Sequence, residues 1–154
     1  KIAEALAQML NRVGIDASVE TMPKAVYFKR ASRGGPNKSP EFSFMLLGWG
    51  AGSGEASSPL KALLHTYDKS KGMGAANRGR HTDAKVDALI QKALATVDAD
   101  ARGKLLAEAT EKAVGENHGV IPMHYQVNTW AAKKGYGYLP RTDERTIATG
   151  LSKN

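Results

Sequence analysis

The sequence contains no cysteine, and that absence excludes several kinds of chemistry. The chain of 154 residues forms no disulfide, presents no thiolate nucleophile and offers no sulfur ligand to a metal ion. A count of zero is compatible with the cytoplasm and with a bacterial periplasm, so it does not decide the compartment. The four histidines show no metal-ligand spacing: His65, His81, His118 and His124. We therefore expect neither a metal site nor a cofactor.

Catalytic and nucleotide-binding motifs are absent as well. There is no H-E-x-x-H, and Ala51 stands where a G-x-S-x-G motif around Ser53 requires its first glycine. The glycines near residue 50 fit neither G-x-G-x-x-G nor G-x-x-x-x-G-K-[ST]. Asp83 and Asp87 lie four positions apart, but helix capping and solvation explain them better than catalysis does. The sequence therefore predicts a protein that is not an enzyme.

Long hydrophobic runs are also absent. No apolar run approaches the roughly 18 residues that a membrane-spanning helix needs. Hydrophobic residues make up 42% of the chain and charged residues 24%, which is ordinary for a globular protein. Because a chain of this length can bury a substantial core, we expect a single domain.

Acidic residues are fewer than basic ones. Lysine and arginine number 22 against 15 acidic residues, which leaves a net charge of +7. Such a balance suits an anionic partner such as nucleic acid. The basic residues are spread along the whole chain, however, and no basic run alternates with aromatic residues. This distribution favours a solvated basic surface over a nucleic-acid interface.

The most informative stretch of the sequence is residues 42–64. Residues 42–47 are apolar except for Ser43, which predicts a strand buried on both faces. Residues 48–55 form a glycine-rich segment. A helix is predicted to follow, with Pro59 at its first position and Ser57 or Ser58 as its N-cap. Because open α/β sheets bind ligands where their strands end, we expect the glycine-rich segment to be a binding loop.

The remaining pattern is mainly helical. Periodicity and capping residues predict helices over residues 2–13 and 24–32, a third from Thr82 or Asp83, and a fourth from Asp98 or Asp100. Residues 15–19 alternate as a short strand, and residues 67–80 are predicted to be a mobile surface loop. Lys1 begins inside a helical pattern without an initiator methionine. We therefore expect a piece of a longer chain, with any targeting segment upstream.

A second candidate binding element is residues 120–132, called the late segment below. One face of this predicted strand is apolar or small, and the other carries His124, Gln126, Asn128 and Trp130. Such a strand either lines a cleft or presents one face to solvent, and the pattern leaves both alternatives open. After residue 133 the regularity is lost, and we expect an irregular tail.

Four stretches, taken in order, resemble the C-terminal lobe of bacterial extracytoplasmic solute-binding proteins of the peptide/nickel class, which serve ABC importers. They are the opening helix and strand, the strand with its glycine-rich segment, the helix pair and the late segment. The residues that carry the resemblance are Gly48 and Trp49; residues 86–90 with Ala93, Asp98 and Arg102; and Ile121 with Pro122. The order and spacing of the four stretches make the resemblance more specific than any one motif.

The resemblance implies an α/β fold, one lobe of a two-lobed periplasmic-binding protein of the class II type, with a buried sheet flanked by helices. Residues 1–154 are then the C-terminal ligand-binding lobe, and the tail from about residue 133 leads back toward a missing N-terminal lobe. The implied partners are a small-molecule or peptide ligand and ABC permease subunits in the inner membrane, and the implied location is periplasmic or otherwise extracytoplasmic. Nucleic acid is not an expected partner. Apolar surface left by the missing lobe is expected to favour self-association.

The resemblance also implies, position by position, which residues face the ligand: Trp49, Gly50, Ala51, Gly52 and Ser53. Peptide-binding relatives often carry an acidic residue three positions after the tryptophan, where it pairs with the α-amino group of the ligand. That position is Gly52 here, and the nearest carboxylate, Glu55, is a candidate substitute anchor. A modified peptide, an opine or another amine-bearing nutrient therefore stays open as the ligand.

Three residues of the late segment complete the candidate site: His124, Asn128 and Trp130. Structural alternatives exist for several of these positions. Trp49 is alternatively an aromatic residue of the core, and Trp130 alternatively covers the edge of a sheet. His124 is alternatively a strand residue whose hydrogen bonds are made within the protein. Asp87 and Arg102 match positions that look structural in the family, for which a helix–helix ion pair is expected.

Two other classes of protein remain as alternatives. A small enzyme domain would use the glycine-rich segment, where Glu55 is the one acid or base that the sequence offers. A basic nucleic-acid-binding module would instead need six basic residues to converge on one face: Lys69, Lys71, Arg78, Arg80, Lys133 and Lys134.

Overall fold

The structure, a computed structural model, describes residues 1–33, 35, 39–141 and 143–153. The chain divides into two units. The first comprises Lys1–Gly48 with Arg78–Arg80, and the second comprises Trp49–Asn77 with His81–Asn154. No helix within the described ranges has the length and apolarity needed to cross a lipid bilayer.

The first unit begins with helix α1, Ile2–Arg12. Gly14 then adopts a left-handed φ of 85°, which glycine tolerates, and its N–H donates to the Asn11 carbonyl at 3.1 Å. The predicted helix and its stop are confirmed. The Asn11 amide also donates to the Ala17 carbonyl at 2.9 Å and so holds the next residues extended. Residues 15–19 have no strand partner among the described residues, so the strand predicted there is wrong.

Helix α2, Lys24–Arg33, organises the rest of the first unit and confirms the second predicted helix. The Tyr27 ring stacks on Phe42, with 5.5 Å between the ring centroids. The Arg30 guanidinium pairs with the carboxylates of Glu20 and Glu41, its Nε lying 3.0 Å from Glu41 Oε1. These side chains join α2 to the extended chain on either side of it.

Residues 42–47, predicted as a buried strand, bend at residues 43 and 44 and belong to no sheet in the described part of the chain. The Leu46 carbonyl accepts its hydrogen bond from the Tyr27 hydroxyl, at 2.7 Å, and not from a neighbouring strand. Phe44 is 64% exposed and Leu46 is 42% exposed. A fully buried strand needs hydrogen-bonded neighbours and a covering layer on each face. The apolar run lacks these, so the prediction of a buried strand is wrong.

The core of the second unit is a helical hairpin. Helix α4 is Ala84–Ala95, and α5 is Ala99–Thr110, which continues into a π-helical turn at Glu111–Glu116. The short α3, Ser57–Pro59, continues into a second π-helical turn at Leu60–Leu64. Together these elements bury one apolar cluster: Leu60, Leu64, Val86, Ile90, Ala93, Leu106, Ala109 and Ala113. The fully buried alanines leave room for α4 and α5 to approach closely.

Aspartates begin both helices of the hairpin, as the sequence predicts. Asp83 Oδ1 accepts from the N–H groups of Lys85, at 2.7 Å, and Val86, at 3.1 Å. Asp98 Oδ1 accepts from the N–H of Ala101 at 2.8 Å. Each carboxylate satisfies donors that the first helical turn leaves without an intrahelical partner. Of the alternatives, Asp83 and Asp98 are therefore the caps.

The start of α3 differs from the prediction. Its N-cap is Ala56, which makes no side-chain capping hydrogen bond, and neither Ser57 nor Ser58 caps the helix. Ser57 lies inside the helix, is buried, and donates its hydroxyl to Glu55 Oε1 at 2.7 Å. The serine is therefore used to hold the preceding carboxylate instead of the helix end.

The loop at residues 67–80 is packed more closely than a mobile surface loop. Asp68 and Met73 exchange two backbone hydrogen bonds of 3.0 Å. Gly74 has a left-handed φ of 63°, and a Cβ there would lie 2.4 Å from the His65 carbonyl oxygen. Glycine is required at this position on both grounds. Asn77 is buried and donates to the His65 carbonyl at 3.0 Å.

The strands of the described structure lie in the tail that the sequence predicts to be irregular. Strand β1, Tyr136–Tyr138, pairs antiparallel with β2, Leu151–Lys153. In this register Tyr136 lies opposite Lys153, and Tyr138 lies opposite Leu151. A 3₁₀ turn at Ala148–Gly150 leads into β2.

The late segment forms no strand and pairs with no strand within the described ranges, so the strand predicted there is wrong. Tyr125 is 98% exposed and Val127 is 84% exposed. The predicted buried sheet flanked by helices is therefore not observed either. The described residues form helices and one small two-stranded sheet, because the β-patterned runs lack neighbours that would complete a hydrogen-bonded ladder.

Candidate functional site

The glycine-rich segment presents its backbone openly in the second unit. Trp49 is 46% exposed, so its indole is not buried in a core. A Cβ added at Gly50 or Gly52 would meet no atom within 4 Å. The segment turns where the Gly54 N–H donates to the Ala51 carbonyl at 2.9 Å, and Gly54 has a left-handed φ of 75°. An exposed indole next to open backbone is a surface that a ligand can approach closely.

Glu55 fixes the end of this segment. Its Oε1 accepts from the Ser57 hydroxyl at 2.7 Å, and its Oε2 accepts from Arg102 Nε at 3.0 Å. The Ser57 hydrogen bond first, and the Arg102 guanidinium second, hold the pKa of Glu55 below its usual value. Both carboxylate oxygens are thus engaged within the chain, and Glu55 joins the segment to α5.

Arg102 does not pair with Asp87, so the expected helix–helix ion pair is wrong. Besides Glu55, the Arg102 guanidinium donates to the carbonyls of Thr96 and Val97, each at 3.2 Å, where α4 turns into α5. Asp87 Oδ1 accepts from the backbone N–H of Thr66 at 2.8 Å. Arg102 therefore joins α5 to Glu55 and to the α4–α5 junction, whereas Asp87 joins α4 to the backbone at Thr66.

The polar residues of the late segment differ in their hydrogen bonding and exposure. Asn128 Oδ1 accepts from Gln126 Nε2 at 3.2 Å, and His124 is exposed. Trp130 Nε1 donates to the Thr146 hydroxyl at 2.9 Å. The Trp130 ring lies 5.7 Å from the Tyr138 ring, tilted by 33°. Trp130 is therefore held in place, and it covers β1.

Two surface recesses lie beside the late segment. The larger has a volume of about 500 Å³ and is lined by Trp130, Ala131, Ala132, Lys133, Tyr136, Tyr138, Thr146 and Leu151. The smaller, of about 370 Å³, is lined by Tyr125, Gln126, Asn128, Trp130, Pro140, Arg141 and Glu144. Asn128 and Trp130 thus meet at a recess. Residues 49–55 line neither recess, so neither recess joins the two halves of the predicted site.

A buried polar network in the second unit was not anticipated from the sequence. His65 is only 3% exposed. Its Nδ1 lies 2.7 Å from the Thr66 carbonyl oxygen, and its Nε2 lies 2.9 Å from Gln91 Nε2. In a neutral imidazole, Nδ1–H donates to that carbonyl and Nε2 accepts from the Gln91 amide. Asp87 Oδ1 lies 3.5 Å from the same Nδ1.

Asn77 extends this network to His81. Asn77 Nδ2 donates to the His81 carbonyl at 2.7 Å, and Asn77 Oδ1 accepts from the backbone N–H of His81 at 2.9 Å. The His81 Nδ1 lies 2.8 Å from the Leu64 carbonyl oxygen. The partners are separated along the chain by loop residues without periodicity, so no sequence signal brings them together. The network satisfies buried backbone groups, which explains it as a structural element.

Several basic residues proposed for a nucleic-acid interface have structural contacts. The Arg78 guanidinium lies 5.2 Å from the Phe28 ring centroid and donates to the Ser32 hydroxyl at 3.3 Å. Lys71 lies 3.7 Å from Asp68. Within the described ranges, no three histidine, aspartate or glutamate side chains are grouped so that they could hold a metal ion.

Comparisons of the chain with protein-family models, with curated proteins and with solved structures find no match.

Proposed function

We propose that this chain is one lobe of an extracytoplasmic solute-binding protein of the peptide/nickel class. In this role it captures a peptide-like or other small nutrient against a second lobe and delivers it to an ABC permease in the inner membrane. The proposed location is periplasmic or otherwise extracytoplasmic. The order of the four sequence stretches supports the proposal, and so does one contact between two of them.

That contact is the ion pair between Glu55 and Arg102. Glu55 ends the glycine-rich stretch, and Arg102 belongs to the helix-pair stretch, 47 residues further along the chain. Two of the stretches on which the resemblance rests therefore meet through charged side chains. Because the pair ties down only the end of the segment, Trp49 and the open backbone before Glu55 remain available to a ligand.

The chemistry of the glycine-rich segment suits a ligand recognised through its backbone. Exposed N–H and carbonyl groups at Gly50 and Gly52 can bond an extended main chain, and the Trp49 indole can cover an apolar part of it. In this proposal Glu55 positions the segment through Arg102, and its remaining acceptor capacity is open to a ligand amine.

Unpaired segments with a strand-like sequence pattern support a second lobe as the missing partner. Residues 42–47 and the late segment each carry a β-type pattern without a strand neighbour in the described ranges. Tyr125, Val127 and Val97 also leave large apolar side chains in solvent. A second lobe of the same protein would bury these apolar surfaces.

The test uses the intact parent protein, purified gently and examined by native mass spectrometry before and after denaturation. We expect a small co-purifying molecule whose mass identifies a peptide, an opine or another nutrient. Trp49→Ala should lower the affinity for that molecule on the order of 30-fold. Leu94→Ala, at an exposed apolar position of α4 in the same unit, is the matched control and should leave the affinity unchanged.

Two outcomes contradict the proposal. A folded parent protein that carries no ligand and binds none of a panel of peptides, opines and amine-bearing nutrients is not a nutrient-binding component. If Trp49→Ala unfolds the protein, as followed by circular dichroism, the indole is a structural residue and is not the ligand contact proposed here.

A further inference from the structure

The larger recess beside the late segment has the properties of a second binding site. Its volume of about 500 Å³ lies within the range of small-molecule pockets. Residues 130–133, β1, Thr146 and Leu151 line it, and none of these residues belongs to the glycine-rich segment. Trp130 also belongs to the candidate site that the resemblance implies, but an inference about the recess does not use the glycine-rich segment on which the proposed function depends.

The aromatic walls of this recess are held in fixed positions. Trp130 Nε1 donates to the Thr146 hydroxyl at 2.9 Å. The Tyr138 hydroxyl accepts from the Ile147 N–H at 3.1 Å and donates to the Arg145 carbonyl at 3.3 Å. Because both side chains are already bonded, a ligand pays little extra entropy to order them.

These same bonds restrict the chemistry of the ligand. The Trp130 N–H and the Tyr138 hydroxyl are used inside the protein, so each ring offers mainly its apolar surface. Ala131, Ala132 and Leu151 add aliphatic surface to the lining. Such walls offer few of the hydrogen-bond partners that a sugar needs, whereas they can pack against a flat apolar ring.

Lys133 is the one charged side chain among the described residues that line the recess. It forms none of the ion pairs found within the described ranges, whereas nearby Arg141 is neutralised by Asp143, with Nε 2.8 Å from Oδ1. An ammonium without a carboxylate partner attracts an anion and repels a cation. The recess thus combines aromatic walls with one uncompensated positive charge.

We propose that this recess binds a small aromatic carboxylate, whose ring lies against Trp130, Tyr136 and Tyr138 and whose carboxylate pairs with Lys133. The ring supplies apolar contact area and the charge supplies selectivity. A neutral aromatic alcohol of the same size loses the ion pair, and an aromatic ammonium is repelled.

The test is ligand-observed ¹⁹F NMR on the full chain with three probes of matched size: 4-fluorobenzoate, 4-fluorobenzyl alcohol and 4-fluorobenzylammonium. We expect saturable line broadening that is strongest for the carboxylate, with affinity for the alcohol about twofold to fivefold weaker, as an exposed ion pair contributes. Equal broadening by all three probes, or no broadening by the carboxylate, overturns the proposal.

Variants place the binding at the recess. Lys133→Gln should abolish the preference for the carboxylate over the alcohol, while Lys134→Gln, one residue further along, should preserve it. Tyr136→Ala should weaken all three probes by about twofold to tenfold, with the fold checked by circular dichroism. If Lys134→Gln alters the preference as much as Lys133→Gln does, or if Tyr136→Ala has no effect, the recess is not the site.

Discussion

Arg102 Nε donates to Glu55 Oε2 at 3.0 Å and thereby joins the glycine-rich segment to the first turns of α5. The same guanidinium donates to the carbonyls of Thr96 and Val97 at the junction of α4 and α5. The Arg102 side chain therefore connects the glycine-rich segment to the helical hairpin of the second unit. The position of the segment depends on this residue more than on packing, because Trp49 and the glycines have few neighbours.

Replacing Arg102 with methionine should release the glycine-rich segment without unfolding the hairpin. Methionine approximates the aliphatic part of the side chain but removes the donors to Glu55, Thr96 and Val97. We expect faster amide hydrogen exchange at Gly54, whose N–H donates to the Ala51 carbonyl within the segment, and unchanged protection in the middle of α4. Arg12→Met, at the end of α1, is the control and should change neither. Unchanged exchange in the Arg102 variant would mean that other contacts position the segment.

Helices and their caps can be predicted from the sequence, whereas the pairing of strands cannot. The caps Asp83 and Asp98 act on N–H groups two or three residues away, so the pattern that predicts them is complete within one helical turn. Residues 42–47 have the composition of a buried strand. Their state depends on neighbours elsewhere in the protein, and the described residues supply none.

The same distinction applies to the candidate site. Glu55 can be identified as the nearest carboxylate to the glycines, but its engagement by Arg102 is a contact across 47 residues that no spacing reveals. The recess at Trp130 depends on β1 and β2, each three residues long and too short for a periodic pattern. Non-local contacts between short segments are where prediction from this sequence fails.

Ile90 should be a main determinant of the stability of the second unit. Its side chain is fully buried in the apolar cluster of α4 and α5. Truncation to alanine leaves a cavity and should lower the free energy of unfolding by about 2–5 kcal/mol. Leu94→Ala, in the same helix but exposed, should cost less than about 1 kcal/mol. Urea denaturation measures both, and equal losses would contradict the placement of the core.

Asp83 should make the stability depend on pH in the acidic range. Hydrogen bonds from the Val86 N–H and from the Asn117 amide, at 2.8 Å, keep the pKa of this carboxyl below its usual value. Its contribution is fully present above the unfolded-state pKa of about 3.9 and is lost as pH falls through the lower folded-state pKa. Asp83→Asn should therefore be less stable at pH 7 and lose less stability on acidification. Asp16→Asn, in an exposed loop, should keep the wild-type profile, and parallel profiles for wild type and Asp83→Asn would exclude this role.

Gly52→Asp tests the ligand class in the proposed function. Gly52 has no left-handed φ and open space around it, so an aspartate fits without strain. Its carboxylate would stand three residues after Trp49, the position at which the proposed function expects the α-amino group of a peptide ligand. We expect the parent protein carrying this change to gain affinity for a simple dipeptide by about fivefold or more, as a charge-assisted hydrogen bond contributes. Isothermal titration calorimetry measures the gain, and N-acetylation of the dipeptide should abolish it. Gly52→Asn adds similar volume without the charge and should bind like the wild type. An equal gain for the acetylated peptide, or for the asparagine variant, would show that position 52 does not face a ligand amine.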